Sequence, residues 1–331
     1  MKQMHLIWIL SATLTAGFGL PGCGEGGSGG STAMQIAVIP KGTSHEFWKA
    51  VHAGAAARAA ESDGKVEIIW KGPAREDDRD DQIKVVEQFI TKGVNGIVIA
   101  PLDDTALVRP LKEATSEGIP VVVFDSGINW DGYESYIATN NYQAGRTAAG
   151  ELASQLGDKG KVVVMRYVEG SASTTQREEG FVEAIREDHP NIEILTDNQY
   201  GGATLDGCFA TAENLLDKYQ EIDGVFAPCE PVTVGFMRAL DQSGRKAKTI
   251  LVGFDASKTL VEGLESGKVD ALMVQSPFKM GYESVDQMIG KFDGKAMTKE
   301  VDTGVAVITP ANMNEPANQE LLNPPSAENK N

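Results

Sequence analysis

Short apolar runs alternate with longer amphipathic stretches along most of the chain. The runs at 121–124 and 250–254 are rich in β-branched side chains, and each ends in Phe-Asp, at Asp125 and Asp255. Runs of this length, bounded by Gly or Pro, are typical of strands that are buried on both faces of a parallel sheet. Ligands bind beyond the carboxyl ends of such strands, so the two aspartates mark two candidate edges.

The order strand, helix, strand, helix occurs twice. The strands predicted at 95–101 and 223–228 share an early Gly and an Ala-Pro ending, and a Phe-Asp strand follows each of them. From the Gly to the Asp is 29 residues in the first copy and 31 in the second. We therefore predict two similar doubly wound α/β lobes, each a parallel sheet between helices.

Two finer predictions concern a helix and the end of the chain. Apolar spacing predicts a helix over 103–117, with Asp103 as its N-cap and a kink at Pro110. The polar, Pro-rich segment 316–331 is predicted to be a loose tail.

Length and charge exclude several classes of protein. A chain of 331 residues favours two domains over one. The net charge of −17 argues against nucleic acid as a partner, because phosphate binding needs a basic surface. It also argues against a repressor with a similar two-lobed core, which would carry a helix-turn-helix at its N-terminus. No segment after residue 22 is apolar for long enough to cross a bilayer.

The N-terminus has the pattern of a bacterial lipoprotein. Residues 6–20 form an apolar stretch that ends in Leu-Pro-Gly-Cys, which resembles a lipobox with Cys23 as the lipidated residue. We predict a signal peptide over 1–22 and a Gly/Ser-rich tether over 23–33. A plain secretory signal with cleavage nearby is the alternative. The lipid would place the protein in the periplasm or on the cell surface, attached to a bacterial membrane by that anchor only.

Several motifs together carry a family resemblance. They are the His-Glu-Phe-Trp sequence at 45–48, the strand ending at Asp125, the segment 170–181, the Gly-Phe-Asp sequence at 253–255, and Gln275. The chain resembles the periplasmic sugar-binding proteins of the ribose-binding type over roughly residues 34–308. The resemblance implies a monomer that binds a small sugar between two lobes. It would deliver that sugar to the membrane permease of an ATP-binding-cassette importer, with no cofactor, no metal and no catalysis.

The resemblance also implies discontinuous lobes, because the chain of such proteins crosses between them three times. The N-terminal lobe would comprise residues 34–139 and 276–302. The C-terminal lobe would comprise residues 140–275 and 303–315.

The same resemblance implies a set of sugar contacts. Asp125 would accept hydroxyl hydrogen bonds on the first lobe, and Arg177, Asp255 and Gln275 would hold the sugar from the second lobe and the hinge. Aromatic residues after the first strand would stack on the C–H face of the ring. Several positions differ from the ribose pattern, which puts ribose itself in doubt; they are Lys41, His45, Ser126, Ala203 or a neighbour, Cys229 and Glu230. The full predicted set is Lys41, His45, Phe47, Trp48, Asp125, Ser126, Arg177, Cys229, Glu230, Asp255 and Gln275.

These residue types suit a sugar on chemical grounds as well. Carboxylates and a guanidinium bond hydroxyl groups strongly, and aromatic rings cover apolar C–H faces. Phe47 and Trp48 are adjacent and point to different helix faces, so we expect one to belong to the core, and we favour Trp48 for the ligand. The alternatives are that Asp125 is only a helix cap and that Arg177 is a surface residue.

Other functions remain as alternatives. A ligand-presenting lipoprotein for a membrane sensor or chemoreceptor fits the same pattern. A glycosidase would use Asp125 and Asp255 as paired carboxylates. The acidic run at 76–81 is interpreted as a solvated helix start, with a cation site as the alternative. Cys208 and Cys229 could form a disulfide or remain two buried thiols.

Overall fold

Strands and helices alternate through residues 33–325, the part of the chain that the computed structural model describes. The strands are β1 (Met34–Ile39), β2 (Val66–Trp70), β3 (Gly96–Ile99), β4 (Val121–Phe124), β5 (Ser135–Ala138), β6 (Gly160–Arg166), β7 (Ile192–Tyr200), β8 (Gly224–Phe226), β9 (Ile250–Phe254), β10 (Ala271–Gln275), β11 (Glu300–Asp302) and β12 (Val305–Ile308). The helices are α1 (Glu46–Ala60), α2 (Arg79–Lys92), α3 (Val108–Ser116), α4 (Asn141–Leu156), α5 (Ala172–Asp188), α6 (Leu205–Lys218), α7 (Glu230–Gln242), α8 (Lys258–Glu265), α9 (Pro277–Phe292) and α10 (Pro316–Leu322), with a short 3-10 helix at Lys246–Lys248.

The strands form two six-stranded sheets. The first has the order β11-β5-β4-β3-β1-β2, and the second has the order β12-β10-β9-β8-β6-β7. All pairs are parallel except β10 with β12. We call the part built on the first sheet the N-lobe and the part built on the second the C-lobe. The predicted fold of two doubly wound lobes is confirmed.

Apolar side chains cover both faces of each sheet. In the N-lobe all residues of β3 and β4 are buried, which explains why these strands are continuous apolar runs. Helices α1 and α9 cover one face of this sheet, and α2 and α3 cover the other. The chain passes between the lobes three times, from β5 to α4, from β10 to α9, and from β11 to β12. The crossings bring α9 and β11 into the N-lobe although they follow the C-lobe in sequence.

One helix pair in each lobe packs backbone against backbone. In the C-lobe, a Cβ at Gly145 of α4 would lie 2.0 Å from the carbonyl oxygen of Arg177 in α5. A Cβ at Gly180 of α5 would lie 2.1 Å from the carbonyl oxygen of Tyr142. Only glycine allows this approach, which fixes the position of α5 and of the side chains that it carries. Helices α1 and α9 make the corresponding contact in the N-lobe.

Two sequence predictions are wrong. The helix predicted over 103–117 begins only at Val108, so Pro110 lies in its first turn, where its missing N–H costs nothing and no kink is needed. Asp103 instead accepts backbone hydrogen bonds in the turn before the helix. The predicted loose tail contains α10, because Leu322 is buried in the apolar core of the C-lobe.

Some predictions fall outside the described residues. These are the signal peptide, the lipidated Cys23, all but the last residue of the tether, and the tail beyond residue 325. Within residues 33–325, no helix combines the length and the apolar character needed to cross a membrane.

Candidate functional site

A narrow cleft lies between the lobes, at the carboxyl ends of strands from both sheets. Ten of the eleven predicted site residues line it, Ser126 being the exception. Ser126 lies beside the cleft, where its hydroxyl accepts a hydrogen bond from the backbone N–H of Ser173 across the lobes. The lining residues that sequence reasoning missed are Glu76, Tyr167, Ser173, Thr174 and Pro231.

Asp125 is held at the N-lobe edge by its backbone and by a cation. Its φ of 59° places it in the left-handed region, and its N–H donates to the carbonyl of Ile137 in β5. Its carboxylate lies 3.4 Å from the ammonium of Lys41, and both side chains are buried. That ammonium also donates to the hydroxyls of Ser171 and Ser173 in the C-lobe, at 3.1 Å each. No helix begins at Asp125, so the helix-cap alternative is wrong.

Asp255 occupies the matching position in the C-lobe. Its φ is 72°, and its N–H donates to the carbonyl of Met273 in β10. Its carboxylate accepts hydrogen bonds from the amide of Gln275 at 2.7 Å and from the backbone N–H of Glu230 at 3.0 Å. Burial raises the pKa of Asp255, and the nearby Arg177 guanidinium opposes that rise.

Arg177 is buried in the C-lobe with its guanidinium in the cleft lining, so the surface alternative is wrong. It donates to the side-chain carbonyl of Asn141 at 2.8 Å, to the backbone carbonyl of Pro228 at 2.9 Å and to the side-chain carbonyl of Gln275 at 2.9 Å. Its guanidinium also lies 3.9 Å from the centre of the Phe254 ring. Three acceptors and a ring therefore fix its orientation before any ligand is considered.

Phe47 and Trp48, at the start of α1, form the aromatic wall of the cleft. Their ring centres are 4.9 Å apart in an edge-to-face arrangement. Trp48 is buried and also packs edge-on against Phe124 in the N-lobe core, whereas Phe47 is half-buried. Trp48 is thus the core residue of the pair, and both rings line the cleft.

The side chain of Glu76 is only 10% exposed and lines the cleft, so the interpretation of the acidic run as a solvated helix start is wrong at this position. Its carboxylate lies 2.8 Å from Nδ1 of His45 and accepts hydrogen bonds from the indole of Trp48 at 2.7 Å and from the phenol of Tyr167 at 3.0 Å. The run does contain a helix start, because Asp78 caps α2. Across residues 33–325 there is no group of three or more His, Cys, Asp or Glu side chains that could hold a metal ion.

The cleft holds several groups with shifted pKa values. Burial lowers the pKa of His45, but the hydrogen bond and charge of Glu76, with Glu230 and Asp255 nearby, raise it to about 9. Burial raises the pKa of Glu230 to about 7, His45 opposes that rise, and Asp255 adds to it. Burial also tends to raise the pKa of Glu76, yet its bonds to His45 and Trp48 and the charge of Lys41 leave it below its usual value. His45 is therefore cationic and Glu76 anionic at neutral pH.

The two remaining cysteines are free thiols. Cys208 and Cys229 are both buried and form no disulfide. Cys229 precedes α7 and contributes to the cleft lining.

Comparisons with known proteins agree with this architecture. The chain is 25% identical over 282 residues to the ribose import binding protein of Bacillus subtilis, an alignment that covers 85% of this chain and 89% of the relative. A solved ABC transporter solute binding protein from Agrobacterium vitis, with bound D-fucose, superposes with a TM-score of 0.83 at 33% identity and covers 87% of this chain and 100% of its own. A carbohydrate transporter solute binding protein from Agrobacterium radiobacter, in complex with D-arabinose, superposes with a TM-score of 0.84 at 28% identity. That match covers 88% of this chain and 99% of the solved one.

The family follows from these matches. They confirm the resemblance to sugar-binding proteins of the ribose-binding type. The family consists of substrate-binding proteins of ATP-binding-cassette importers, which are not enzymes, so the glycosidase alternative is wrong. The periplasmic binding protein domain matches residues 36–296, and the chain therefore belongs to the periplasmic binding protein family.

Proposed function

We propose that the protein binds an uncharged monosaccharide or cyclic polyol in the cleft and delivers it to the permease of an ATP-binding-cassette importer. The observation that carries the proposal is the placement of Asp125 and Asp255 at the facing edges of the two lobes, with Arg177 and the aromatic wall lining the same cleft. Carboxylates accept hydrogen bonds from sugar hydroxyls, the guanidinium donates to sugar oxygens, and the aromatic wall of Phe47 and Trp48 covers C–H bonds.

The pairing of charges in the cleft favours an uncharged ligand. Lys41 lies against Asp125, and His45 lies against Glu76. Arg177 donates to three protein acceptors. Each cation therefore already has protein partners, and a sugar phosphate or sugar acid would bring a second anion into a buried site without a free cation to meet it.

The sugars in related proteins agree with that preference. Solute-binding proteins similar to this chain have been solved with D-fucose, D-arabinose, α-D-tagatopyranose and myo-inositol. None of these molecules is charged, and all are small enough to be enclosed between two lobes. They form the natural first panel of ligands.

Titration calorimetry of residues 33–331 with this panel, with D-galacturonate and a hexose phosphate as charged controls, tests the proposal. We expect saturable binding of at least one neutral ligand and none of the charged ones. Binding of the charged ligands alone would overturn the preference, and binding of no carbohydrate would overturn the function. Deletion of the gene should then abolish cellular uptake of the bound sugar. Retained uptake with lost chemotaxis would instead favour the sensor alternative.

We also propose that Cys23 carries lipid and that the anchored protein is a monomer. The support is the lipobox-like sequence before Cys23 together with the Gly/Ser-rich tether after it. Replacing Cys23→Ser should move the protein from the membrane fraction to the soluble fraction or leave its precursor uncleaved. Unchanged fractionation would refute the anchor, and a molecular mass of twice the monomer in light scattering would refute the monomer.

A further inference from the structure

The side chain of Glu76 contacts groups from both lobes with its two carboxylate oxygens. We propose that Glu76 is a positioning residue that couples the orientation of the ligand-facing wall of the N-lobe to closure of the cleft. This inference rests on the proposed function, since closure is taken to occur on a sugar. Glu76 itself need not touch the ligand for the coupling to operate.

One carboxylate oxygen orients the N-lobe wall. Oε1 of Glu76 accepts the Trp48 indole N–H at 2.7 Å and lies 2.8 Å from Nδ1 of His45. These two bonds fix the plane of the indole and the direction of the imidazole, which are both side chains of the cleft lining. The position of the Phe47 ring depends on Trp48 in turn, because the two rings pack edge-to-face. A single carboxylate thus sets three of the surfaces that a sugar ring would meet.

The other oxygen reaches the opposite lobe. Oε2 accepts the phenolic hydrogen of Tyr167, which follows β6 in the C-lobe, at 3.0 Å. Tyr167 is 3% exposed, and burial raises its pKa well above the ordinary value, so it remains a donor. Separation of the lobes would break this bond and leave both groups to water. The carboxylate therefore has its full set of partners only when the lobes are together.

Other bonds between the lobes lack this connection to the wall. Lys41 donates to Ser171 and Ser173, and Glu46 accepts the backbone N–H of Lys258. None of these bonds involves Trp48 or His45. Glu76 differs because the same side chain bonds the ligand-facing wall and the opposite lobe.

The loop between β1 and α1 makes room for this arrangement. A Cβ at Gly42 would lie 2.8 Å from Cγ of Glu76, closer than real Cβ contacts come. The replacement Gly42→Ala should therefore displace Glu76 without changing any polar group. Gly42→Ala is therefore a second way to disturb the contacts of the Glu76 carboxylate.

A ligand-free measurement tests the orienting role. In the protein with Glu76→Gln, nuclear magnetic resonance should show a lower His45 pKa and a shifted indole N–H resonance for Trp48. Tyr167→Phe should leave both signals close to those of the wild type. Unmoved His45 and Trp48 signals with Glu76→Gln would overturn the orienting role, whether or not a sugar binds.

A binding measurement with D-fucose and D-arabinose as probes tests the coupling to closure. Tyr167→Phe should raise koff about tenfold with little change in kon, and Glu76→Gln should weaken Kd by about ten- to a hundredfold. The double variant should lose less than the sum of the two single losses, because both changes act on the same contact between Glu76 and Tyr167. Gly42→Ala should resemble Glu76→Gln.

The matched control is the surface pair Glu61 and Tyr282, whose hydrogen bond of 2.6 Å lies within the N-lobe. Glu61→Gln and Tyr282→Phe should leave Kd and koff unchanged. Additive effects of the Glu76 and Tyr167 variants, or a Tyr167→Phe variant with wild-type koff, would overturn the coupling. If the wild type binds neither probe, the ligand range under the proposed function is wrong, and the resonance measurement alone decides the role of Glu76.

Discussion

The residues that follow β4 and β9 share one backbone conformation but differ in the charges around them. Asp125 and Asp255 both adopt a left-handed conformation, and both donate their N–H to the neighbouring strand. Asp125 then faces the ammonium of Lys41, whereas Asp255 is held by neutral donors, an amide and a backbone N–H. The repeat has kept the geometry that aims a carboxylate at the cleft, and it has changed how each carboxylate is stabilised.

The difference assigns the two carboxylates to different parts of the closing mechanism. Lys41 bonds the C-lobe through Ser171 and Ser173, so the N-lobe aspartate is linked to contact between the lobes. Gln275, which donates to Asp255, accepts from Thr139 at a crossing between the lobes. The C-lobe aspartate is therefore linked to the hinge.

The largest loss of folding stability is expected when Arg177 is replaced. Arg177 does not form an ion pair with Asp255 but is connected to it through Gln275, which accepts from Arg177 and donates to Asp255. Arg177→Ala would leave the acceptors of Asn141 and Pro228 without a donor in a buried site, while Gln275 would keep only its bond from Thr139. At about 1–3 kcal/mol for each of the two unsatisfied groups, we expect a loss of about 2–6 kcal/mol in the free energy of unfolding, to which the lost packing against Phe254 adds. Urea denaturation measures this loss, and a loss below about 1 kcal/mol would show that the chain through Gln275 carries little energy.

The next effect compares the aspartates directly. Asparagine tolerates the left-handed backbone, so Asp125→Asn and Asp255→Asn keep the backbone, remove the charge and replace one acceptor oxygen with an amide donor. Asp125→Asn leaves the buried ammonium of Lys41 without its carboxylate and should cost about 3–5 kcal/mol. Asp255→Asn removes a charge that burial already disfavours but leaves one of the two donors that face it without an acceptor, and it should cost about 1–2 kcal/mol. Equal losses in denaturation of the two variants would contradict the distinction between the lobes.

The smallest effect concerns His45, a cation at the N-lobe edge close to Glu230 and Asp255. Its pKa is raised from 6.5 to about 9 in the folded protein. The folded state thus holds this proton more tightly than the unfolded state. The resulting stability is fully present below pH 6.5 and is lost as the pH rises through about 9.

The measurement is the difference in unfolding free energy between the wild type and His45→Gln at pH 6, 7.5 and 9.5. We expect this difference in unfolding free energy to be about 2 kcal/mol at pH 6 and close to zero at pH 9.5. Solvent screening of the partly exposed imidazole keeps the value at pH 6 below what the full pKa shift would give. Glu178 titrates near pH 7 in both proteins and cancels in the difference, whereas the pKa of Glu230 rises further without His45 and contributes to the difference near neutral pH. A difference that does not change with pH would mean that His45 is neutral in the fold.

Local pattern was sufficient for the fold and for the two aspartates of the cleft. A buried parallel strand needs a continuous apolar run, and the polar residue that ends it lies at the ligand edge, so Asp125 and Asp255 could be predicted from spacing alone. Arg177 and the aromatic pair needed the family resemblance, because an arginine within a helix has no local signal for burial. The short strands β5 and β11 hold too few residues for a recognisable pattern.

The missed residues depend on contacts that are distant in sequence. Glu76 stands in a charged run, and its burial comes from Gly42, Trp48 and Tyr167 closing around it. A signal was present in retrospect, since a buried Trp needs an acceptor for its indole N–H. The helix α10 was missed because its pairing with the C-lobe core rests on few apolar residues among many polar ones.

The discontinuous N-lobe has a consequence for how the protein is made. Helix α9 supplies Met280, Val285 and Met288 to the N-lobe core, and β11 completes its sheet. They are translated roughly 140 and roughly 160 residues after β5, a delay on the order of seven to thirty seconds. During that interval the face of β1, β3 and β4 that α1 and α9 share lacks part of its cover, so the first lobe to be synthesised cannot complete its core until most of the second lobe has been made. A chain truncated after β10 should therefore expose apolar surface on the N-lobe, and the growing chain should depend on chaperones until residue 302 has emerged.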